Sequence, residues 1–292
     1  KLPSKRTFAS HLQVSVITVQ TAYEQLIAEG YIKGVEKKGY YVLPIDILPR
    51  PAKQSVPVAS PSKEEPWLMD FVTNSAPEES FPFQTWAKLM RKIILDHGPG
   101  LLKASEAKGT AELRTAIADY LYHFRGMPVD PEQVIIGAGT EFLYNVIVQL
   151  LGRDKIYAVE DPGHRKIARI YESIGVTIRR IGLDDRGLCA SELNQKHADV
   201  VHITPDHHYP TGIVMPIGRR YELLRWAADK EGRYILEDDY DSEFRFRGKP
   251  VPTLYSTDTS RSVVYLNTFS KTIAPSIRIS YMVLPYDLLE LY

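Results

Sequence analysis

The 292-residue sequence is poor in cysteine and has no long apolar run. Cys189 stands alone, which excludes a disulfide framework and a zinc site built from cysteines. No stretch approaches roughly eighteen consecutive apolar residues, so no membrane-spanning helix is predicted, and no cleavable leader is visible. An excess of one charge is also missing, because 36 Lys and Arg balance 36 Asp and Glu. We therefore expect a cytoplasmic protein without a global field for polyanions.

Prolines are concentrated in the stretch 44–66, which holds six of them among Ser, Lys and Ala. Such a composition buries little surface and favours an extended chain. We interpret it as a linker between a first domain, residues 1–43, and a second domain, residues 67–292. The chain begins inside what resembles a domain and stops where a helix is starting, so we expect both domains to be incomplete.

The second domain alternates strand-like and amphipathic stretches. This alternation predicts an α/β fold with a mostly parallel, seven-stranded sheet that has helices on both faces. The predicted strands are 134–136, 156–159, 177–181, 200–203, 234–236, 263–266 and 277–284, and the predicted helices are 83–95, 111–124, 140–151, 165–174, 189–195 and 219–231.

Lys271 lies between the last two predicted strands, with Thr268 three positions before it and Arg278 seven after it. Asp238 ends an earlier strand. Together these four side chains suit pyridoxal phosphate. The lysine would form an imine with the aldehyde, the hydroxyl and the guanidinium would hold the phosphate, and the carboxylate would keep the pyridine nitrogen protonated. A lysine alone is more often a surface residue, and only the joint spacing favours the cofactor.

Four further residues complete the predicted cofactor site. Gly139 and Thr140 open a helix after a strand, so their N–H groups can point at a phosphate, although a glycine there is as often a simple turn. His164 follows another strand and either stacks on the cofactor ring or caps a helix. Tyr240 is predicted to bond the 3-oxygen of the ring. The acidic run 237–243 could instead bind magnesium or form a solvated loop.

The first domain has the pattern of two short helices followed by a hairpin. Ser15 suits the N-cap of the second helix, and Gly30 ends that helix. The predicted helices are 7–12 and 16–29, and the strands 31–32 and 40–42 flank a Lys37-Lys38-Gly39 tip. This is the outline of a winged helix-turn-helix, which binds DNA. The alternative is a small packing module without a DNA role.

Motifs in both domains resemble known families. Several short runs resemble the GntR family of bacterial transcription regulators, namely Leu2–Arg6, Val14-Ser15, Thr18-Val19, Ala22-Tyr23, Leu26 and Glu29–Tyr31. Residues 68–292 resemble fold-type I aminotransferases at the positions of the predicted cofactor residues. The two halves with their proline-rich linker resemble the MocR subfamily of GntR regulators, which includes a 4-aminobutyrate-responsive member.

The resemblance implies contacts with operator DNA, a homodimer, and two segments of the family that lie outside this sequence. The implied phosphate contacts are Ser4, Lys5 and Arg6, the major-groove contacts are Ser15, Thr18 and Gln20, and the wing contacts are Lys37 and Lys38. Two subunits would pack head to tail. The family's first helix and the small C-terminal domain of this fold are absent from the chain.

Three positions depart from the family patterns. Tyr209 stands where aminotransferases have the asparagine of Asn-Pro-Thr-Gly, so one contact to the 3-oxygen of the ring is lost. Val16 stands where GntR proteins often have arginine. Lys166 stands where the 4-aminobutyrate-responsive member has an arginine for the effector carboxylate, and a lysine cannot make the same bidentate clamp.

These observations favour a transcription regulator that uses pyridoxal phosphate as a sensor. An amine or amino-acid effector would displace Lys271 to form an external aldimine and thereby change how the chain binds its operator. The alternatives are an aminotransferase with a DNA-binding appendage and a dimer scaffold that binds no cofactor.

Overall fold

The computed structural model describes residues 1–44, 81–244 and 251–292. Almost all of the predicted linker therefore lies outside the described residues. The described residues fall into two compact units, one before position 45 and one after position 80. Within these ranges no helix is both long and apolar enough to cross a membrane.

The N-terminal unit consists of two helices followed by a hairpin. Its elements are α1 (Lys5–Leu12), α2 (Val16–Ala28), β1 (Ile32–Val35) and β2 (Gly39–Val42). Serine side chains cap both helices: Ser4 accepts from the N–H of Thr7, and Ser15 from that of Thr18. Packing around the buried Tyr23, whose hydroxyl donates to the carbonyl of Pro3 at 3.1 Å, completes the unit.

The large unit alternates strands and helices. Its helices are α3 (Phe83–His97), α4 (Ala111–Arg125), α5 (Thr140–Leu151), α6 (Arg165–Ile174), α7 (Ala190–Gln195), α8 (Ile217–Ala228), α9 (Leu254–Thr257) and α10 (Tyr286–Leu289). Its strands are β3 (Val134–Gly137), β4 (Ile156–Asp161), β5 (Thr177–Asp184), β6 (Gly187–Leu188), β7 (Val200–Ile203), β8 (Tyr234–Asp238), β9 (Val263–Thr268) and β10 (Ser280–Val283).

The eight strands described in the large unit form one sheet in the order β3-β10-β9-β8-β7-β4-β5-β6. The neighbours from β9 to β5 are parallel. Strand β10 is antiparallel to both β3 and β9, so β3 runs in the same direction as β9. The mostly parallel α/β fold predicted from the sequence is confirmed.

The sheet differs from the prediction at two places. The eighth strand, β6, is a two-residue antiparallel edge strand, too short to produce a hydrophobic pattern. The last strand begins at Ser280 rather than at 277, because Pro275–Ile277 forms a 3-10 turn and Arg278 is left-handed with φ of 56°.

Helices cover both faces of the sheet. Helices α5 and α6 pack on one face against the apolar residues of a core that includes Leu236 and Leu266. Helices α7, α8 and α9 pack on the other face, against a core that includes Ile235 and Val263. Because side chains alternate along a strand, the central strands β4, β7, β8 and β9 contribute to both cores.

Candidate functional site

The predicted cofactor residues converge on one edge of the sheet. The carboxyl ends of β3, β4, β7, β8 and β9 all lie at this edge because these strands run in the same direction. The amino end of the antiparallel β10 lies there too. Gly139 and Thr140 follow β3, and His164 follows β4. Asp238 ends β8 and Tyr240 comes two residues later. Thr268 ends β9, Lys271 comes three residues later, and Arg278 precedes β10.

The strand order of the sheet reverses between β4 and β7, which is a topological switch point. From β4 the chain continues outward to β5, and from β7 onward it builds in the opposite direction through β8 and β9. In open α/β sheets, ligands bind in the crevice at such a reversal. His202 lies on β7 and Glu160 at the end of β4, the two strands that flank this reversal, and Asp238 lies on the next strand, β8.

Asp238 is buried with one oxygen satisfied and one without a partner. Its Oδ2 accepts a hydrogen bond from the hydroxyl of Tyr144 at 2.7 Å and lies 3.3 Å from Nε2 of His202. Its Oδ1 is buried and has no hydrogen-bond partner among the described residues. A buried polar atom without a partner is costly, so this oxygen is suited to a donor supplied by a ligand.

His202 connects Asp238 to Tyr171. The Tyr171 hydroxyl lies 2.9 Å from Nδ1 of His202, and all three side chains are buried. A carboxylate only accepts, so His202 donates through Nε2. In the neutral ring Nδ1 then accepts a hydrogen bond from the hydroxyl of Tyr171. Burial raises the pKa of both Tyr144 and Tyr171 well above 10, which keeps their hydroxyls protonated as donors.

Three bonded hydroxyl groups lie at the end of β9 and the start of β10, and the guanidinium of Arg278 lies beside Gly139 at the start of α5. Thr268 Oγ1 accepts from Ser280 at 2.8 Å and donates to Ser270 at 2.9 Å. The side chains of Asp238 and Thr268 leave the same face of the sheet, since Asp238 is in register with Leu266, two residues before Thr268. A Cβ built on Gly139 would overlap the guanidinium of Arg278, so only glycine allows this close approach.

Lys271 is exposed at the same edge. Burial raises the pKa of the nearby Asp241, and the charge of Lys271 acts in the opposite direction. Asp241 also lies 3.0 Å from Nδ1 of His207. The hydroxyl of Tyr240 donates to the carbonyl of His207 at 2.8 Å, so in this structure the tyrosine holds the loop after β7.

His164 caps α6, as one of its two predicted roles requires. Its Nδ1 accepts from the N–H of Lys166 at 3.2 Å, and its ring lies 5.4 Å from that of Tyr209. The ring is exposed beside the reversal, so capping leaves it a free face. Lys166 forms an exposed ion pair with Glu141 at 3.3 Å.

A second buried carboxylate, Glu160, was missed by the sequence reasoning. Its Oε2 accepts from both the N–H and the hydroxyl of Thr204, at 3.1 and 2.8 Å, and lies 3.4 Å from Nε2 of His208. Burial raises the pKa of Glu160 to about 8, and the charge of Asp238 contributes to the rise. The position of Glu160, at the end of a strand beside Asp161, was the available signal.

Only the middle residue of the run Glu237-Asp238-Asp239 faces the predicted site. Glu237 accepts from the N–H groups of Leu254 and Tyr255 at 2.8 and 2.9 Å, and thereby holds the start of α9. Asp239 contacts Tyr265 and Arg125 at 2.6 and 2.9 Å on the opposite face. Among the described residues no group of three His, Cys, Asp or Glu is placed to hold a metal ion.

The predicted DNA contacts lie at the surface of the N-terminal unit, and Lys5 is half-buried. The ammonium of Lys5 lies 5.7 Å from the ring centre of Tyr40. Lys37 and Lys38 form the hairpin tip. Ser4 and Ser15 act as helix caps, and Nε2 of Gln20 donates to Glu24 at 2.8 Å. The side chains of Ser4, Ser15 and Gln20 therefore already form hydrogen bonds within the unit.

Comparison with protein families shows a match to aminotransferase class I and II over residues 68–290. Over 99% of its length the chain is 40% identical to the uncharacterized HTH-type transcriptional regulator YdeL of Bacillus subtilis, and covers 63% of that protein. It is 31% identical over 99% of its length to the probable rhizopine catabolism regulatory protein MocR of Rhizobium meliloti, and covers 62% of it. The chain therefore spans about three fifths of these curated relatives.

The fold is similar to solved aminotransferases. A kynurenine aminotransferase of Pyrococcus horikoshii, solved in complex with PMP, superimposes with a TM-score of 0.68 at 25% identity, over 75% of this chain and 56% of that one. A multiple substrate aminotransferase of Thermococcus profundus gives a TM-score of 0.65 at 28% identity, over 74% of this chain and 56% of that one.

Proposed function

Because the chain belongs to the aminotransferase class I and II family and resembles HTH-type regulators over its whole length, we propose that it is a pyridoxal-phosphate-dependent regulator of transcription. The N-terminal unit binds operator DNA, and the large unit responds to an amine or amino acid. Binding to operator DNA implies the cytoplasm. The observation that carries the cofactor assignment is the buried Oδ1 of Asp238 without a partner at the reversal point of the sheet.

The residues present fit pyridoxal phosphate in three respects. Asp238 offers a buried acceptor for a protonated ring nitrogen. The start of α5 and the guanidinium of Arg278 offer donors for a phosphate, and Gly139 leaves room for Arg278 to approach the helix start. The hydroxyl of Thr268 donates to Ser270 in this structure and would turn to the phosphate to add a third donor. Lys271 supplies the amine at the same edge. When bound, the cofactor would supply an aldehyde that reacts with amines and a ring that withdraws electrons.

The chain's own residues would set the charge and orientation of the ring. Tyr144 and His202 hold Oδ2 of Asp238, so Oδ1 is the oxygen that would accept from the ring nitrogen. The free face of His164 would stack on the ring. Lys166, engaged with Glu141 at the surface, replaces the arginine of the 4-aminobutyrate-responsive relative, so we expect a different effector.

Cofactor binding is tested by absorbance. Adding pyridoxal phosphate to the wild-type chain should produce a visible band that differs from that of the free cofactor and persists through gel filtration. Lys271→Ala should abolish this protein-bound band, because no other amine is proposed to react with the aldehyde. Lys230→Ala, which removes an exposed lysine paired with Asp199, is the matched control and should keep the band. An unchanged band in Lys271→Ala would overturn the assignment.

A homodimer is proposed on the basis of helix α3. This 15-residue helix has no buried residue among the described ones. Trp86, Leu89 and Ile93 share one face at helical spacing and are between 37 and 50% exposed. Such a face on an otherwise folded unit requires a partner. A second copy of the chain supplies the same face and can bury both.

The second candidate is an active aminotransferase with a DNA-binding appendage, supported by the family match over residues 68–290. Tyr209 argues against efficient turnover, because it stands at the asparagine position and its side chain is 55% exposed. Steady turnover of an amino donor with a 2-oxo acid would favour this candidate.

A further inference from the structure

Helix α2 begins with apolar side chains directed outward. Val19 and Tyr23 of this helix belong to the buried core of the unit, whereas Ile17 is 76% exposed and Val16 is 43% exposed. Ile17 shares the outward face with residues 20, 21 and 24, which follow it at helical spacing. An isoleucine at this place leaves a large apolar group in water at the exposed start of the helix.

The polar side chains around Ile17 are engaged with one another. Ser15 accepts from the N–H of Thr18 at 3.0 Å and shares a hydrogen bond with its hydroxyl at 2.7 Å. Nε2 of Gln20 donates to Glu24 at 2.8 Å. The hydroxyl of Thr21 donates to the carbonyl of Ile17 at 3.1 Å. Ile17 is therefore an exposed apolar side chain on a face whose polar groups bond to one another.

The charge of the unit indicates what kind of partner covers this face. Residues 1–44 contain six Lys and Arg but three Glu, in a chain that is neutral as a whole. Arg6 and the hairpin tip, Lys37 and Lys38, are exposed. A positive unit favours a polyanion over an apolar protein surface. On duplex DNA, the apolar group that side chains can contact in the major groove is the 5-methyl group of thymine.

We propose that Ile17, flanked by Val16, contacts thymine methyl groups in the major groove and is a specificity-determining residue of this chain. This inference rests on the proposed function, because it assumes that α2 binds operator DNA. The proposed contact gives α2 a preference for thymine although the hydroxyl groups of Ser15 and Thr18 and the amide of Gln20 already form hydrogen bonds within the helix. A bidentate hydrogen bond to a base edge is not required of Ser15 or Thr18.

The test removes the methyl group from the DNA and the apolar side chain from the protein. Sites are first selected from a random-sequence duplex pool with the full chain. Each thymine of the selected site is then replaced singly by deoxyuridine, which keeps all hydrogen-bonding groups. Affinities are measured by fluorescence anisotropy for the wild type, for Ile17→Ala and for Val42→Ala. The last variant is a matched control, since it shortens a 60% exposed residue on β2.

The expected result is a loss of about fourfold for at least one deoxyuridine in the wild type, the ratio for returning one methyl-sized group to water. Ile17→Ala should bind the thymine site more weakly by a similar factor and should no longer distinguish thymine from uracil at that position. Val42→Ala should behave as the wild type. Because the deoxyuridine arm uses unaltered protein, it does not depend on how the variant folds.

Three other results would each overturn the inference. Indifference of the wild type to every deoxyuridine, or an unchanged preference in Ile17→Ala, removes thymine contact by Ile17 and leaves the regulator proposal intact. Failure to enrich any sequence from the pool overturns the DNA-binding proposal itself, and the inference with it.

Discussion

Three consecutive acids at the end of β8 have three different environments. Glu237 binds backbone N–H groups of α9, Asp239 binds Tyr265 and Arg125, and Asp238 alone faces the predicted site with a buried oxygen that lacks a partner. Burial raises the pKa of Glu237 to about 7 and that of Asp239 to about 8. The chemistry of the site therefore depends on the partners of each carboxylate more than on their number.

Tyr144→Phe should destabilise the protein by about 2 kcal/mol, because it removes a 2.7 Å hydrogen bond to the buried carboxylate of Asp238. The measurement is urea unfolding monitored by circular dichroism. Tyr157→Phe is the control: its hydroxyl donates to the neutral carbonyl of Gly152 at 3.1 Å, and we expect a loss of about 1 kcal/mol. Equal losses in the two variants would contradict a stronger hydrogen bond from Tyr144 to the carboxylate than from Tyr157 to the carbonyl.

Glu160 should make the protein less stable as the pH rises. Its pKa is raised to about 8 in the folded state from an ordinary value of 4.5. Between these values the folded protein keeps a proton that the unfolded chain has lost, so the free energy of unfolding falls with pH. The contribution of one group is at most about 1.4 kcal/mol per pH unit.

Glu160→Gln should remove this part of the slope. Gln can still accept from Thr204 but does not ionise. Urea unfolding at several values between about pH 5 and pH 8 compares the wild type with Glu160→Gln and with Glu231→Gln, an exposed control. Parallel curves for the wild type and Glu160→Gln would show that Glu160 is not protonated in the folded state.

At the level of elements, α3 differs from the other long helices of the large unit, since it alone among the described ones has no buried residue. A double variant, Leu89→Asp with Ile93→Asp, should convert a dimer to a monomer, because burying two carboxylates without partners outweighs the apolar contact. Sedimentation velocity measures the outcome. Lys88→Asp with Lys92→Asp alters the opposite face and should leave the dimer intact. A dimer that persists with aspartates at 89 and 93 would exclude α3 from the interface.

Element boundaries follow from local chemistry where a cap or a turn is present. Ser15 and Gly30 were predicted to bound the second helix, and α2 spans Val16–Ala28 with Ser15 as its cap. The strand predicted over 277–284 was too long because Pro275 and the left-handed Arg278 form a turn before β10. That turn aims Arg278 at Gly139, which the strand conformation would not have done.

On the scale of the whole molecule, the proposed function requires that the large unit changes the DNA affinity of the N-terminal unit. An effector can do this only if it binds the two states of the protein with different affinity. We expect the right amine or amino acid, together with pyridoxal phosphate, to change the affinity for the selected operator by about 5-fold to 150-fold. Footprinting across a panel of amino acids measures this change.

The same change should be absent in Lys271→Ala and retained in Lys230→Ala. Operator binding that is identical with and without cofactor and effector in every member of the panel would separate the two units functionally. In that case the chain would be a DNA-binding protein whose aminotransferase-like unit acts only as a scaffold.

The sequence by itself determined the α/β fold, the family resemblance and the set of residues at the carboxyl edge, including Asp238, Thr268 and Lys271. These depend on hydrophobic periodicity and on short motifs, and parallel strands bring their carboxyl ends together wherever they pack. The comparisons confirm the fold and the resemblance, and the roles of the single residues stay predictions.

Only the tertiary structure decided which partners those residues have. Tyr144 lies 94 positions from Asp238 and His202 lies 36 from it, and Thr204 lies 44 from Glu160. Such pairs leave no mark in a local pattern, because contacts across a sheet join segments that are far apart along the chain. For the same reason the sequence did not predict the burial of Glu160 or the exposed apolar face of α3, since both depend on how the strands and helices pack.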